Sequence, residues 1–375
     1  MAKEAITVVH APSLGYGNAM ATLPTGRIAT GPGDADVRRF CTNALKGVSR
    51  TFALSIPELP EPLDDWVRCA YLVCRMIDTL EDRPARSERD RQQMFDRFIA
   101  SLGPPVDAQA VRDFASSFAD DRAADACSAL MANADLVLDL LSTFPPPALD
   151  AVQRCAVDMA AGLRRTPLSP PSATPRCLFQ TMHQLERYCH YAAGVVGVML
   201  ARLFVAYLDI DPASINRATL HRAKRFGRGL QLTNITKDHP ADLSDGRCFI
   251  PAEAARRCAC DPSELLQPSL PLEIRALMVR RAAAHLDVAL RFCVDLPTEP
   301  IGIRLFCVQP MMMALMTLER IITHPDPTPD DRPKITRTQV EEVMTTSRRI
   351  SHDDHALQAW YGDLRGTLAH LLTRC

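Results

Sequence analysis

Two sets of carboxylates have the types and spacing to do chemistry. In CRMIDTLEDRP (74–84) an apolar run ends in Asp78, Glu81 and Asp82, and in KDHPAD (237–242) Asp238 and Asp242 repeat the four-residue interval. Residues four apart share a helix face, so Asp78 and Asp82 point one way with Glu81 beside them, and Asp238 and Asp242 form a second aligned pair. Like charges at that spacing destabilise a bare helix by roughly 0.2–0.5 kcal/mol. A helix C-terminus adds repulsion from its dipole, so a cation is expected nearby. Hard carboxylate oxygens suit Mg²⁺, which keeps several waters and is ordinarily completed by substrate phosphates. Two such pairs above apolar walls would hold a prenyl diphosphate by its head and bury its hydrocarbon. For a lone DxxED the plain alternative is a solvated helix end, with Arg75, Arg83 and Arg86 as partners.

The elements that must position these groups read as helices. Runs rich in Ala, Leu, Met and Arg are long and alternating Val/Ile/Thr segments are scarce, which predicts an all-α chain. Short proline-containing breaks (56–62, 102–107, 144–150) separate helices of about 10–25 residues. The prolines of 164–177 forbid a helix, and a loop of that length suits a lid. We expect a loose tail over 1–35 and a single helical domain over 36–375. With 375 residues, 47% of them hydrophobic, and a net charge of −1, the chain can bury a large core and lacks the basic excess of a nucleic-acid binder. Thirteen cysteines without a CxxC pair predict reduced thiols and a cytoplasmic setting. The CxC at 258–260 and SHDDH at 351–355 read as incidental. The apolar stretch 191–208 reads as a buried helix, and neither terminus reads as a signal or an anchor.

Six blocks then stand in a telling order: SRTFALSIPELP (49–60), YLVCRMIDTLED (71–82), YCHYAAGVVG (188–197), LQLTNITKDHPAD (230–242), DGRCFIP (245–251) and FCVQPMMMALMTL (306–318). Together they resemble the squalene/phytoene synthase family over nearly all of 36–350. YCHYAAG, FCVQP and PKITRTQV (333–340) are most similar to its squalene-forming branch. The resemblance implies an isoprenoid (terpenoid) synthase helical fold with a central apolar cavity and two aspartate-rich helices. It implies head-to-head condensation of two farnesyl diphosphates to presqualene diphosphate, then reductive rearrangement with NADPH to squalene. Dehydrosqualene, phytoene or hydroxysqualene are the alternative products within the family, and a catalytically silent scaffold is the alternative outside enzymology.

The same resemblance assigns roles. Asp78, Glu81, Asp82, Asp238 and Asp242 would hold Mg²⁺, with Mn²⁺ able to substitute, and Tyr188 would move a proton and steer the cation. Arg50, Arg75, Lys237 and Arg247 would meet diphosphate oxygens. Phe52, Ala193, Gly194, Gly197, Gln231, Asn234 and Phe306 would line the substrate site, and Met311–Met313 the same pocket. Asn234, Lys334 and Arg337 would contact NADPH on a non-Rossmann surface, because GYGNAM and GPGDAD lack the strand-to-helix context of a dinucleotide turn. The second acidic motif departs from the pattern. Ala241 replaces the usual acid, Lys237 replaces a frequent arginine, and Pro240 predicts imperfect helical spacing, with Asp245 as a substitute ligand. A monomer, with at most peripheral membrane contact, is expected.

Overall fold

In a computed structural model the described residues are 34–49, 51–83, 87–103, 106–119, 125–167, 175–324 and 326–375. Arg50, most of the expected tail and the middle of the expected lid (168–174) lie outside them. A helix already begins at Asp34, so the last two residues of the expected tail are helical.

The first acidic helix, Leu63–Asp82, starts with Asp64 and Asp65 in its first turn, where the dipole favours them. Arg68 ties both down, with an Nη2 to Asp64 Oδ2 distance of 2.6 Å. Its buried stripe includes Val67, Ala70, Val73, Ile77 and Leu80. The helix stops directly after Asp82 because Arg83 precedes Pro84 and is driven into an extended conformation, ψ 132°. The acids therefore do sit at a C-terminus, against the dipole.

Helices close a ring. Leu63–Asp82 packs on Pro146–Leu163, which packs on the continuous helix Met182–Tyr207, and this in turn lies on the second acidic helix, Arg217–Ser244. Arg217–Ser244 packs on Leu272–Asp295 and Ile301–Thr323, and the latter returns through the short segment 52–58 to the first helix. Four aromatics from four ring elements meet inside: Phe52 with Tyr71 (5.3 Å between centroids), Phe52 with Phe306 (6.0 Å) and Phe204 with Phe306 (6.3 Å). Among the described residues the β structure is one parallel pairing of Arg176–Cys177 with Arg247–Cys248.

Ile301–Thr323 is apolar on every side, as a helix at the centre of a fold must be. It and Met182–Tyr207 are long and apolar enough to cross a membrane, yet 89% and 50% of their apolar windows are buried in the protein. Met311, Met312 and Met313 are all buried, and Met311 Sδ accepts from Cys293 of the neighbouring helix. Buried Arg304 anchors the C-terminal pair, Arg337–Ile350 and Asp354–Leu372, by donating to the Ser351 carbonyl (3.0 Å) and to Asp354 (2.6 Å).

Two sequence expectations need correcting. Pro240 does not break the second acidic helix, which runs unbroken from Arg217 to Ser244. Proline removes only the bond to the carbonyl one turn back, so Asp238 and Asp242 keep helical spacing. The turn that follows uses Gly246 at φ 77°, a conformation glycine tolerates.

The second correction concerns Ala193, Gly194 and Gly197, expected to leave room for a prenyl chain. Ala193 and Gly197 face Ala223 and Gly227 of the second acidic helix. A Cβ at Gly197 would lie 2.0 Å from the Ala223 carbonyl oxygen, and one at Gly227 would lie 2.0 Å from that of Ala193. A Cβ at Gly194 would meet His190 Nδ1 at 2.9 Å and the Arg228 side chain. At Gly197 and Gly227 the absent Cβ is taken up by backbone approach between two helices, and at Gly194 by the His190 and Arg228 side chains. Gly197→Ala should therefore destabilise the fold by about 2–3 kcal/mol despite alanine's better helix propensity. A melting temperature equal to or above that of the parent would contradict this packing.

Candidate active site

The ring brings the two acidic helices together at one end. Arg247, just past the second helix, donates to Asp82 of the first, and its Nη2 lies 3.7 Å from Asp245 Oδ2. Burial would loosen Arg247's proton, but Asp82, Asp242 and Glu81 more than offset this and raise its pKa. Asp82 and Asp242 are near enough to repel: burial pushes Asp242 up to about 7, against the pull of Arg247, with Asp238 and Asp82 adding to the rise. Burial likewise raises Asp78 to about 7, with Arg75 pulling it down and Asp82 pushing it up. Glu81 rises to about 8 through burial and the negative charges of Asp82 and Asp78.

Such crowding marks a place short of positive charge. Glu81 Oε1 is buried without a hydrogen-bond partner. Among the described residues no group of three or more His, Cys, Asp or Glu side chains converges into a ready-made metal centre. Carboxylates approaching from two helices suit a hard cation that keeps water and phosphate oxygens in its shell, so the residues fit Mg²⁺.

Tyr188 belongs to this cluster. It lies in the last turn of helix Met182–Cys189, two residues before a π-turn at His190–Gly194; such π-bulges are frequent at functional sites. Its hydroxyl donates to Glu81 Oε2 at 3.2 Å, and its ring packs between Phe179 (5.4 Å) and Phe249 (5.2 Å). Burial, then Glu81, Asp78 and Asp82, drive its pKa well above the ordinary tyrosine value, so the hydroxyl keeps its proton. Thr166 lies near enough to Glu81 to pull its pKa down a little. Buried Arg91 holds that end of the loop by donating to the carbonyls of Thr166 and Leu163, the latter at 2.8 Å.

Arg75 turns toward the Val48 carbonyl (3.1 Å), while its Nε is buried and unpartnered. Phe52 meets Phe306 inside the ring and also packs on Tyr71 of the first acidic helix. Gln231 is half-buried on the second acidic helix, and Asn234 is exposed on it. Lys237 donates to Asn234 Oδ1 (2.9 Å) and sits 3.2 Å from Asp238 Oδ2. Asp245 is 68% exposed, and its charge adds to the rise of Asp242. Arg332 was absent from the sequence reading, yet its Nη1 donates to Asp238 Oδ1 at 2.7 Å. Lys334 and Arg337, both exposed, follow within five residues of that bond. Arg91 and Thr166 were missed as well. Arg332 had a faint signal, an arginine closing the acidic run PDD; a buried arginine on a polar helix and a threonine at a loop entrance carry none.

The family model described as squalene/phytoene synthase matches residues 45–339. The chain belongs to that family. It is 27% identical over 291 residues to the squalene synthase of Schizosaccharomyces pombe, covering 77% of this chain and 60% of that one. Identity to the Homo sapiens squalene synthase is 27% over 292 residues, covering 75% and 62%. The chain thus spans about three fifths of the length of these relatives. Among solved structures, TcSQS in complex with the ligand E5700 superposes with a TM-score of 0.71 at 23% identity, over 91% of this chain and 97% of that one. A dehydrosqualene synthase in complex with ligand gives 0.54 at 18% identity, over 84% and 96%. The all-helical isoprenoid-synthase fold is common to them.

The raised carboxylates of this squalene/phytoene synthase family member predict a pH dependence. Asp78, Glu81 and Asp242 have folded-state values above their ordinary ones. Between about pH 4 and 8 the folded state therefore holds protons the unfolded chain has lost, and these groups contribute less stability as pH rises. A divalent cation needs the deprotonated forms. Thermal melts across pH 5.5–8.5 should show stabilisation by Mg²⁺ that grows with pH; an equal shift at both ends would refute the assignment.

Proposed function

We propose that this chain condenses two farnesyl diphosphates head to head to presqualene diphosphate and reduces that intermediate with NADPH to squalene. The observation that carries the reading is the meeting of two acidic helices over an aromatic interior, with Arg247 bridging the gap. Asp78, Glu81 and Asp82 would hold Mg²⁺ on one diphosphate and Asp238 and Asp242 on the other. When bound there, the metal supplies neutralisation of a leaving diphosphate. Arg75 and Arg247, with Arg50 from the same motif set, orient phosphate oxygens with guanidinium forks. Phe52, Tyr71, Phe204 and Phe306 offer ring faces to an allylic or cyclopropylcarbinyl cation and exclude the water that would capture it. The Tyr188 hydroxyl holds its proton at Oη beside Glu81, ready for transfer to a departing oxygen. Asn234, Lys334 and Arg337 are the candidates for the nicotinamide nucleotide, whose bound form supplies the hydride. Lys334 and Arg337 follow shortly after Arg332, which donates to Asp238, one helical turn from Asn234.

The test is chromatographic analysis of products from purified protein, farnesyl diphosphate and Mg²⁺, with and without NADPH. Squalene formed only with NADPH, and presqualene diphosphate accumulating without it, are the expected results. Dehydrosqualene or hydroxysqualene in the presence of NADPH would leave the condensation and overturn the reduction. Unconsumed substrate would overturn the enzymatic reading and favour a scaffold.

A further inference from the structure

We propose that Arg332, from the loop before the C-terminal helices, is a diphosphate-binding residue that completes the second carboxylate pair. The proposal rests on the reading of Asp238 and Asp242 as the holders of a metal-bound diphosphate. Asp238 is bracketed by two cations, the Lys237 ammonium at 3.2 Å and the Arg332 guanidinium at 2.7 Å. A half-buried carboxylate needs one partner, and Lys237, on its own helix, is already there. The second cation is long-range, 94 residues away in sequence.

Its approach is built. Thr328 N–H donates to the Asp331 carbonyl (3.1 Å), Asp331 N–H donates back to Thr328 Oγ1 (3.0 Å), and the Asp331 carboxylate lies 3.3 Å from His324 Nε2. This closed turn hands Arg332 to Asp238, and Pro333 fixes the next φ. Only part of the fork is used on Asp238, and Arg332 Nε is buried without a hydrogen-bond partner. Lys237 is a point charge without fork geometry, whereas a guanidinium matches two phosphate oxygens at once. Were a cation to take the Asp238 oxygens, the released fork would be free to meet the phosphate that completes the cation's shell.

The experiment is titration calorimetry of the full chain with inorganic diphosphate in saturating Mg²⁺, for the parent, Arg332→Gln and Arg332→Lys, alongside binding of NADPH. Arg332→Gln should weaken diphosphate binding at least tenfold, Arg332→Lys should restore part of the loss, and NADPH affinity should stay unchanged. The proposal fails if Arg332→Gln binds diphosphate like the parent while its affinity for Mg²⁺ alone rises, because Arg332 would then be a counter-ion to Asp238. A loss confined to NADPH would reassign the fork to the cofactor. Parent protein that binds no diphosphate in Mg²⁺ would sink the underlying site reading as well, and so separates the two failures.

Discussion

Asp82→Asn is expected to lower consumption of farnesyl diphosphate by at least about 10³-fold while the fold stays intact. Removing a metal-holding charge forfeits stabilisation of the departing diphosphate, and each ~1.4 kcal/mol lost is tenfold in rate. The structural cost is small, since the Asp82 side chain is 50% exposed and its chief contact is Arg247. Asparagine keeps the shape and can still accept from that guanidinium. Asp78→Asn should act similarly on rate. Because burial makes the Asp78 charge unfavourable in the folded state, that variant should also melt at or above the parent's temperature without Mg²⁺ at pH 8. Steady-state rates together with melting curves check both. Turnover within tenfold of the parent would remove the first helix from the metal site.

Tyr188→Phe isolates one oxygen atom. The ring keeps its stacking on Phe179 and Phe249, and only the bond to Glu81 Oε2 disappears. If the hydroxyl transfers a proton in the rate-determining step, turnover should fall about 10²–10⁴-fold, with the KM for farnesyl diphosphate altered little. A hydroxyl that merely satisfies Glu81 would instead leave turnover near normal and cost about 1–3 kcal/mol of stability. Presqualene diphosphate measured separately from squalene shows which half-reaction is slowed.

Much of the architecture was legible because helices announce themselves locally. The 3.6-residue repeat through YLVCRMI, the proline breaks and the uniformly apolar FCVQPMMMALMTL required no knowledge of what lay opposite. The four-residue spacing of each acidic pair was legible for the same reason. Pro240 misled because its local cost is one lost hydrogen bond, which the flanking turns and the packing of Arg217–Ser244 override. Ala193, Gly194 and Gly197 misled in the opposite way. A small residue marks a close approach without saying what approaches, and at Gly197 it is the Ala223 carbonyl.

The amino-acid order by itself determined the helical class, the helix that ends directly after Asp82 and the two aligned carboxylate pairs, because capping, proline sterics and periodicity act over a few residues. Only the tertiary structure decided which charges meet. Arg247 reaches Asp82 across 165 residues, Tyr188 reaches Glu81 across 107, and Arg332 reaches Asp238 across 94. Long flexible side chains can select a partner only after packed helices have set the distance between their backbones, and that distance depends on two surfaces at once.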